Sequence, residues 1–101
     1  MEKEVIWSKT ALNQLEKIYF HILKESKSRN VTNKVIDTIY NSAAILQSSS
    51  EIYELDEMKI DNNGNYRAYE IYSYRISYKT TQKEIHILRV RHTSRNPKKL
   101  K

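Results

Sequence analysis

Three β-type runs fill most of the last third of the chain, GNYRAYEIYSYRISYKTTQKEIHILRVRHTSRNPKKL (64–100). They extend from Tyr66 to Tyr72, from Tyr74 to Thr80 and from Glu84 to Arg91, and each is rich in β-branched or aromatic residues. The link between the last two runs is short, which predicts an antiparallel hairpin. The turn sequence NNGN (62–65) precedes the first run, and its asparagine and glycine residues tolerate positive φ.

The middle run alternates between apolar and polar residues. Positions 74, 76 and 78 are tyrosine or isoleucine, whereas positions 75, 77 and 79 are arginine, serine and lysine. Neighbouring side chains of a strand point to opposite faces, so this run predicts one apolar and one basic face. The last run differs, because Ile85 and Ile87 fall on one face while Leu88 and Val90 fall on the other. Apolar residues on both faces predict a central strand that is covered on both sides.

The first half of the chain predicts a short strand and two helices. Residues 5–7 (VIW) form the strand, and Ser8 is suited to cap a helix that runs from Lys9 to about Lys27. Apolar residues recur every three or four positions there, and again from Val31 to Leu46 after a break at 28–30. Helices joined so closely should pack as an antiparallel hairpin.

The resulting order is β-α-α-β-β-β within one domain, residues 1–101. It predicts an α+β fold in which a helical hairpin packs on one face of a small, curved, antiparallel sheet. The segment EIYELDEMKID (51–61) carries five acidic residues, and Met58 to Ile60 is predicted as a short edge strand. A basic C-terminal tail is expected over about residues 93–101.

Composition excludes several kinds of site and location. The chain has no cysteine, so it can hold no disulfide, thiolate metal site or cysteine nucleophile. Its three histidines, His21, His86 and His92, lack the spacing of metal ligands, and neither a metal nor another cofactor is expected. No apolar run approaches the roughly 18 residues of a membrane span, and the sequence MEKEVIW (1–7) lacks a signal-peptide core. A cytoplasmic protein without membrane contact is therefore expected.

Charge is distributed unevenly along the chain. The net charge is +6, yet residues 64–101 hold ten Lys or Arg and only two Glu. Such a basic region predicts a polyanionic partner, either RNA or DNA or an acidic protein. Several arginines are expected to converge on one sheet face and to bind this partner: Arg67, Arg75, Arg89, Arg91 and Arg95.

Four motifs stand out along the chain: VIWS (5–8) before an amphipathic helix, GNYR (64–67), YRISY (74–78), and ILRVRH (87–92) before a short basic tail. Together they resemble the RelE/ParE superfamily of bacterial toxins from type II toxin–antitoxin modules. Each motif is common by itself, but their order and spacing in a chain of this length are far more specific. The resemblance spans most of the chain and implies the same α+β fold.

The resemblance implies a growth-inhibiting toxin of the plasmid-stabilisation type, with two possible targets. RelE-like toxins cut mRNA in the ribosomal A site, whereas ParE-like toxins bind DNA gyrase and trap it on cleaved DNA without being catalysts. Both are silenced by a cognate antitoxin, through which alone the toxin is expected to reach operator DNA. Fold likeness does not choose between the two mechanisms.

A nuclease would need an acid or base and cations around the phosphate. His92 is the candidate acid or base, and Arg67, Arg75 and Arg89 are the candidate phosphate ligands. In YoeB-like members, a strand arginine and a C-terminal histidine are catalytic, and these match Arg75 and His92. A structural role for His92, as a histidine at a strand end, is the alternative.

Two features favour the ParE-like interpretation, namely the long helical hairpin and the tail beyond His92 in place of a terminal tyrosine. The tyrosine that follows the histidine in YoeB-like members is Thr93 here, and a polar tail continues beyond it. The base position has no clear carboxylate, since Glu54 and Glu57 qualify only by lying in the preceding acidic segment. The sequence thus favours a gyrase-binding toxin. The alternatives are a ribosome-dependent endoribonuclease and an inactive family member that is retained for antitoxin or operator binding.

Overall fold

The computed structural model describes residues 2–59 and 62–93. Within them the predicted order of strands and helices is confirmed. Its elements are β1 (Glu4–Trp7), α1 (Lys9–Ser26), α2 (Arg29–Ser42), a short 3₁₀ helix (Ala43–Gln47), β2 (Tyr66–Ile71), β3 (Tyr74–Thr80) and β4 (Glu84–His92). Residues 94–101, which hold most of the expected basic tail and Arg95, lie outside the described residues.

Serine residues begin both helices. The Ser8 hydroxyl accepts a hydrogen bond from the Ala11 N–H at 3.0 Å, and the Ser28 hydroxyl accepts one from the Val31 N–H at 3.2 Å. Lys27 caps the C-terminal end of helix α1, with a left-handed φ of 56° and an N–H that donates to the Leu23 carbonyl. Only two residues separate the helices, which fixes them as a tight hairpin.

The sheet is mixed, with the strand order β1-β4-β3-β2. The last three strands pair antiparallel with one another, as the sequence predicts. Strand β1 instead pairs in parallel with β4, from Glu4 opposite Glu84 to Trp7 opposite Ile87. The expectation of a wholly antiparallel sheet is therefore wrong at this edge. Parallel neighbours require a crossover connection, and the helical hairpin and the first two antiparallel strands provide it.

The helices cover one face of the sheet, which we call the helix face. Side chains at alternate positions of β3, among them Ile76 and Tyr78, are buried there. They pack with residues of both helices and of the 3₁₀ helix, such as Leu15, Ile39 and Leu46. The opposite side of the sheet, which we call the open face, carries the intervening polar positions.

A β-bulge in β4 determines which side chains reach each face. Tyr78 pairs with Ile87 and Ser77 pairs with Arg89, so Leu88 is an extra residue without a partner on β3. After this extra residue the alternation is reversed. Val90 is consequently buried together with Ile87, although strict alternation from Ile87 would place it on the other face. The apolar residues on both predicted faces of this run thus result from a bulge.

Helix α1 supplies hydrogen bonds to the backbone around the bulge. The Ser8 N–H donates to the Ile87 carbonyl at 2.9 Å, and the Ser8 hydroxyl donates to the Leu88 carbonyl at 3.2 Å. The Gln14 side-chain oxygen accepts from the Val90 N–H at 2.7 Å. Strand β1 ends at Trp7, so the Ser8 N–H and the Ser8 and Gln14 side chains bond to β4 groups where the β1 pairing ends.

The acidic segment 51–59 follows the free edge of β2. The Ala68 N–H donates to the Glu54 carbonyl, and the Asp56 N–H donates to the Tyr66 carbonyl at 2.9 Å. A single bridge joins Leu55 to Arg67. The edge strand predicted from Met58 is wrong in its described part, because Asp56 closes a turn there by accepting from the Met58 N–H. Ile60 lies outside the described residues.

We expect Gln14→Leu to lower the free energy of unfolding by about 1–2 kcal/mol, because the Val90 N–H loses its acceptor within a partly buried backbone. Gln14→Glu retains an acceptor oxygen and is the matched control. Urea denaturation followed by circular dichroism measures both variants. Equal stabilities for Gln14→Leu and the wild type would show that the hydrogen bond contributes nothing.

Candidate functional site

A basic groove crosses the open face of the sheet. Its floor is formed by β3 and β4, and its sides by the start of α1 and the segment 56–59. We call this surface the basic groove, and its principal residues are Ser8, Asp56, Arg75, Ser77, Arg89 and Arg91. Four cationic side chains, including Lys59, and one carboxylate line it.

Arg75 is held within the groove by carboxylates of the chain itself. Its guanidinium lies 2.7 Å from the Asp56 carboxylate, and the two side chains are only 13% and 11% exposed. A second carboxylate, that of Glu70, approaches to 3.9 Å. The Arg75 Nε is buried and has no hydrogen-bond partner among the described residues. Asp56 therefore occupies the position on Arg75 where a phosphate oxygen would bind.

Arg89 and Arg91 are the exposed arginines of the groove, in which Lys59 is exposed as well. The bulge at Leu88 turns both toward the open face, where Arg91 lies opposite Arg75 and Arg89 lies opposite Ser77. Among residues 2–59 and 62–93, no carboxylate lies within 4.0 Å of either guanidinium. These two arginines can thus present their N–H groups to a ligand.

His92 lies on the helix face. It pairs with Tyr74 across the strands, and the two rings make an edge-to-face contact with centroids 5.1 Å apart. A cavity between α1 and the sheet is lined by His92 together with Gln14, Lys17 and His21. No aspartate or glutamate of the described residues lines this cavity. Of the arginines that line the basic groove, Arg91 also lines this cavity, whereas Arg75 and Arg89 do not.

Arg67 is also on the helix face, but at the other end of the strands. It pairs with Tyr78, four residues along β3 from the partner of His92, which is about 13 Å at 3.3 Å per residue. Its guanidinium donates to the Tyr53 carbonyl at 2.7 Å, so it holds the segment that follows the 3₁₀ helix. Arg67 is consequently remote from the basic groove.

The sheet thus divides the residues that the sequence singles out. Arg75, Arg89 and Arg91 share the basic groove, whereas Arg67 and His92 lie at separate places on the helix face. Arg91 lines the cavity of His92 as well as the groove. The exposed carboxylates of Glu54 and Glu57 belong to the segment at the edge of β2. Sequence reasoning missed Asp56 and Gln14, since no local pattern connects Asp56 with Arg75 or Gln14 with Val90.

Two buried tyrosines form a structural cluster beside Arg67. The Tyr69 hydroxyl lies 2.7 Å from the Ser42 hydroxyl, and the Tyr78 hydroxyl donates to the Ser50 carbonyl at 2.9 Å. Burial raises the pKa of each phenol from 10.0 to about 12. These rings are packed within the protein, so they do not form an exposed platform on which bases could stack.

The raised pKa values predict a loss of stability in alkali. A phenol whose folded pKa exceeds its unfolded pKa stabilises the fold while protonated, and this contribution is lost as pH rises from about 10 to 12. Denaturation at a series of pH values should show this decrease. In Tyr69→Phe the decrease should be smaller. An unchanged alkaline dependence in Tyr69→Phe would contradict burial of this phenol.

The described residues contain no group of three His, Asp or Glu side chains that could hold a metal ion. None of the helices described here is long and apolar enough to cross a membrane.

A family model described as the ParE toxin of the type II toxin–antitoxin system parDE matches residues 5–97. The chain belongs to the ParE toxin family. Membership of this family implies an antitoxin partner for this ParE-family chain.

A solved structure supports the fold of this ParE-family chain. It comes from the chromosomal ParDE toxin–antitoxin system of P. aeruginosa and superposes with a TM-score of 0.74 at 19% sequence identity. The superposition covers 90% of this chain and 96% of the other. At this identity the likeness concerns the fold alone. Comparison with curated proteins gave no match.

Proposed function

We propose that this ParE-family chain inhibits growth by binding DNA gyrase and trapping it on cleaved DNA, and that it does not cut mRNA. The observation that carries this proposal is the position of His92 on the helix face while Arg75 and Arg89 occupy the open face. The proposed activity would take place in the cytoplasm, where gyrase and its DNA are found.

RNA cleavage requires the acid or base and the phosphate ligands to surround one phosphate. A proton-transferring group must come within about 3 Å of the reacting oxygen, and the cations must contact the same phosphate. Side chains on opposite faces of a strand point away from each other, with the backbone of the sheet between them. His92 and Arg75 are arranged in this way. Moreover, Asp56 already neutralises Arg75 at 2.7 Å.

These features support a toxin that acts through its surface. We expect His92→Ala to leave the toxin's effect on gyrase within about twofold of the wild type, because His92 takes no part in chemistry on this account. The measurement is the yield of gyrase–DNA cleavage complexes on a supercoiled plasmid, with purified gyrase, ATP and toxin. The fold of each variant is verified by circular dichroism.

A cell-free translation reaction distinguishes the rival mechanism. The 5′ ends of mRNA are mapped with and without the toxin, and the account predicts intact mRNA under active translation. New ends at A-site codons that disappear in His92→Ala would contradict the proposal and establish a ribosome-dependent nuclease. Absence of both mRNA ends and cleavage complexes would indicate an inactive member retained for antitoxin or operator binding.

The basic groove also fits the antitoxin that family membership implies. We propose that an acidic antitoxin segment covers Arg89 and Arg91, and that the toxin reaches operator DNA only through this antitoxin. Exposed ion pairs weaken with salt, so the affinity of the complex should fall as ionic strength rises. Titration calorimetry in a salt series measures this dependence. A salt-independent affinity would exclude the groove as the principal antitoxin contact.

A further inference from the structure

The basic groove has the chemistry of a phosphate-binding surface. Arg89 and Arg91 are two residues apart on the same face, so their Cα atoms are separated by about 7 Å. One DNA strand advances about 3.4 Å per phosphate along the helix axis, so the two guanidiniums can contact separate phosphates of one strand. Each guanidinium can donate two parallel hydrogen bonds to phosphate oxygens.

Hydroxyl groups of the groove complement the two arginines. Ser77 lies opposite Arg89 on the neighbouring strand, and Ser8 and Thr10 line the side formed by α1. Hydroxyls and arginines are the side chains that commonly contact the phosphates and sugars of DNA. One aromatic ring, that of Tyr66, lines the groove, and Lys59 lies over it at 4.5 Å. The surface therefore suits the backbone of a nucleic acid better than its bases.

The floor of the groove disfavours an added peptide strand as the ligand. Peptides that extend a sheet need a strand with an unpaired edge. Here β3 is paired on both sides, by β2 and β4, and β4 is paired with β1 as far as Ile87. Beyond Ile87, Ser8 and Gln14 bond to the β4 backbone in place of a strand. A ligand on this floor must be recognised through side chains, as a phosphate backbone is.

Asp56 limits the positive charge of the groove. Its carboxylate neutralises Arg75 and is the only one among the groove's described lining residues. A DNA phosphate approaching Arg75 would encounter this carboxylate as a like charge. Arg75 consequently has a structural role in the groove, while Arg89 and Arg91 remain available to bind phosphate.

We propose that the basic groove binds the phosphodiester backbone of DNA, with Arg89 and Arg91 as the phosphate contacts and Asp56 restraining the affinity. This inference rests on the proposed function for its biological setting, since gyrase supplies the DNA. The DNA contact itself is a property of the toxin alone. An antitoxin that covers Arg89 and Arg91 would prevent this DNA contact. The toxin–antitoxin complex would then reach operator DNA through the antitoxin.

The test is the binding of purified toxin to a short fluorescent DNA duplex of mixed sequence, measured by anisotropy at several salt concentrations. The variant Arg89→Gln/Arg91→Gln removes both proposed contacts. The control Lys24→Gln/Arg29→Gln removes the same charge from exposed positions at the adjoining ends of α1 and α2. All four substituted positions are exposed, so both variants should fold.

For the groove variant we expect at least a tenfold loss of affinity at low salt. The slope of log affinity against log salt should fall in magnitude by about 2, because each phosphate contact contributes about 0.9. The control should stay within about threefold of the wild type, since its residues do not contact the phosphates. Asp56→Asn should raise the affinity several-fold, because it removes the like charge yet keeps an oxygen for the Met58 N–H.

Equal losses in the groove variant and the control would overturn the proposal, since net charge alone would then explain binding. Loss of antitoxin binding with unchanged DNA binding in the groove variant would also overturn it. The gyrase assay distinguishes failure of the DNA-binding proposal from failure of the proposed function. Unchanged DNA binding by the groove variant together with full trapping of gyrase would refute the DNA contact alone. Groove-dependent DNA binding without gyrase trapping would support the contact and refute the proposed function.

Discussion

The hydrogen-bonded bulge in β4 is the constraint on which the arrangement of this protein depends. One extra residue, Leu88, reverses the alternation of side chains in the middle of a central strand. As a result Val90 enters the core, while Arg89 and Arg91 point to the open face. Ser8 and Gln14 of the α1 region satisfy the backbone there, so the first helix and the basic groove form one structural unit.

Much of the fold could be predicted because its signals are local. Serine caps, helical periodicity and alternation in β3 each depend on residues that are close in sequence. The bulge could not be predicted, because apolar residues on both faces are equally consistent with a strand that is covered on both sides. The parallel pairing of β1 and the turn at Asp56 depend on contacts between distant segments, such as the ion pair with Arg75.

The candidate site was predictable in its residue types but not in its geometry. An excess of arginine indicates a polyanionic partner, yet only the register shows that Arg67 and His92 face away from the groove. The same register places Asp56 on Arg75 and leaves Arg89 and Arg91 exposed. Together these features describe a basic surface whose positive charge is partly neutralised by the Asp56 carboxylate. This arrangement is the basis for the proposal that the protein acts by binding partners through its surface.

The reactivity of single cysteines in β4 tests this account most directly, because the chain contains no cysteine of its own. Arg89→Cys, Val90→Cys and Arg91→Cys are each exposed to a thiol-reactive reagent under native conditions, and the labelling rates are compared. The account predicts fast labelling at 89 and 91 and slow labelling at 90, where the wild-type residue is 2% exposed. Fast labelling at 90 with slow labelling at 89 and 91 would contradict the bulge and the groove that it creates.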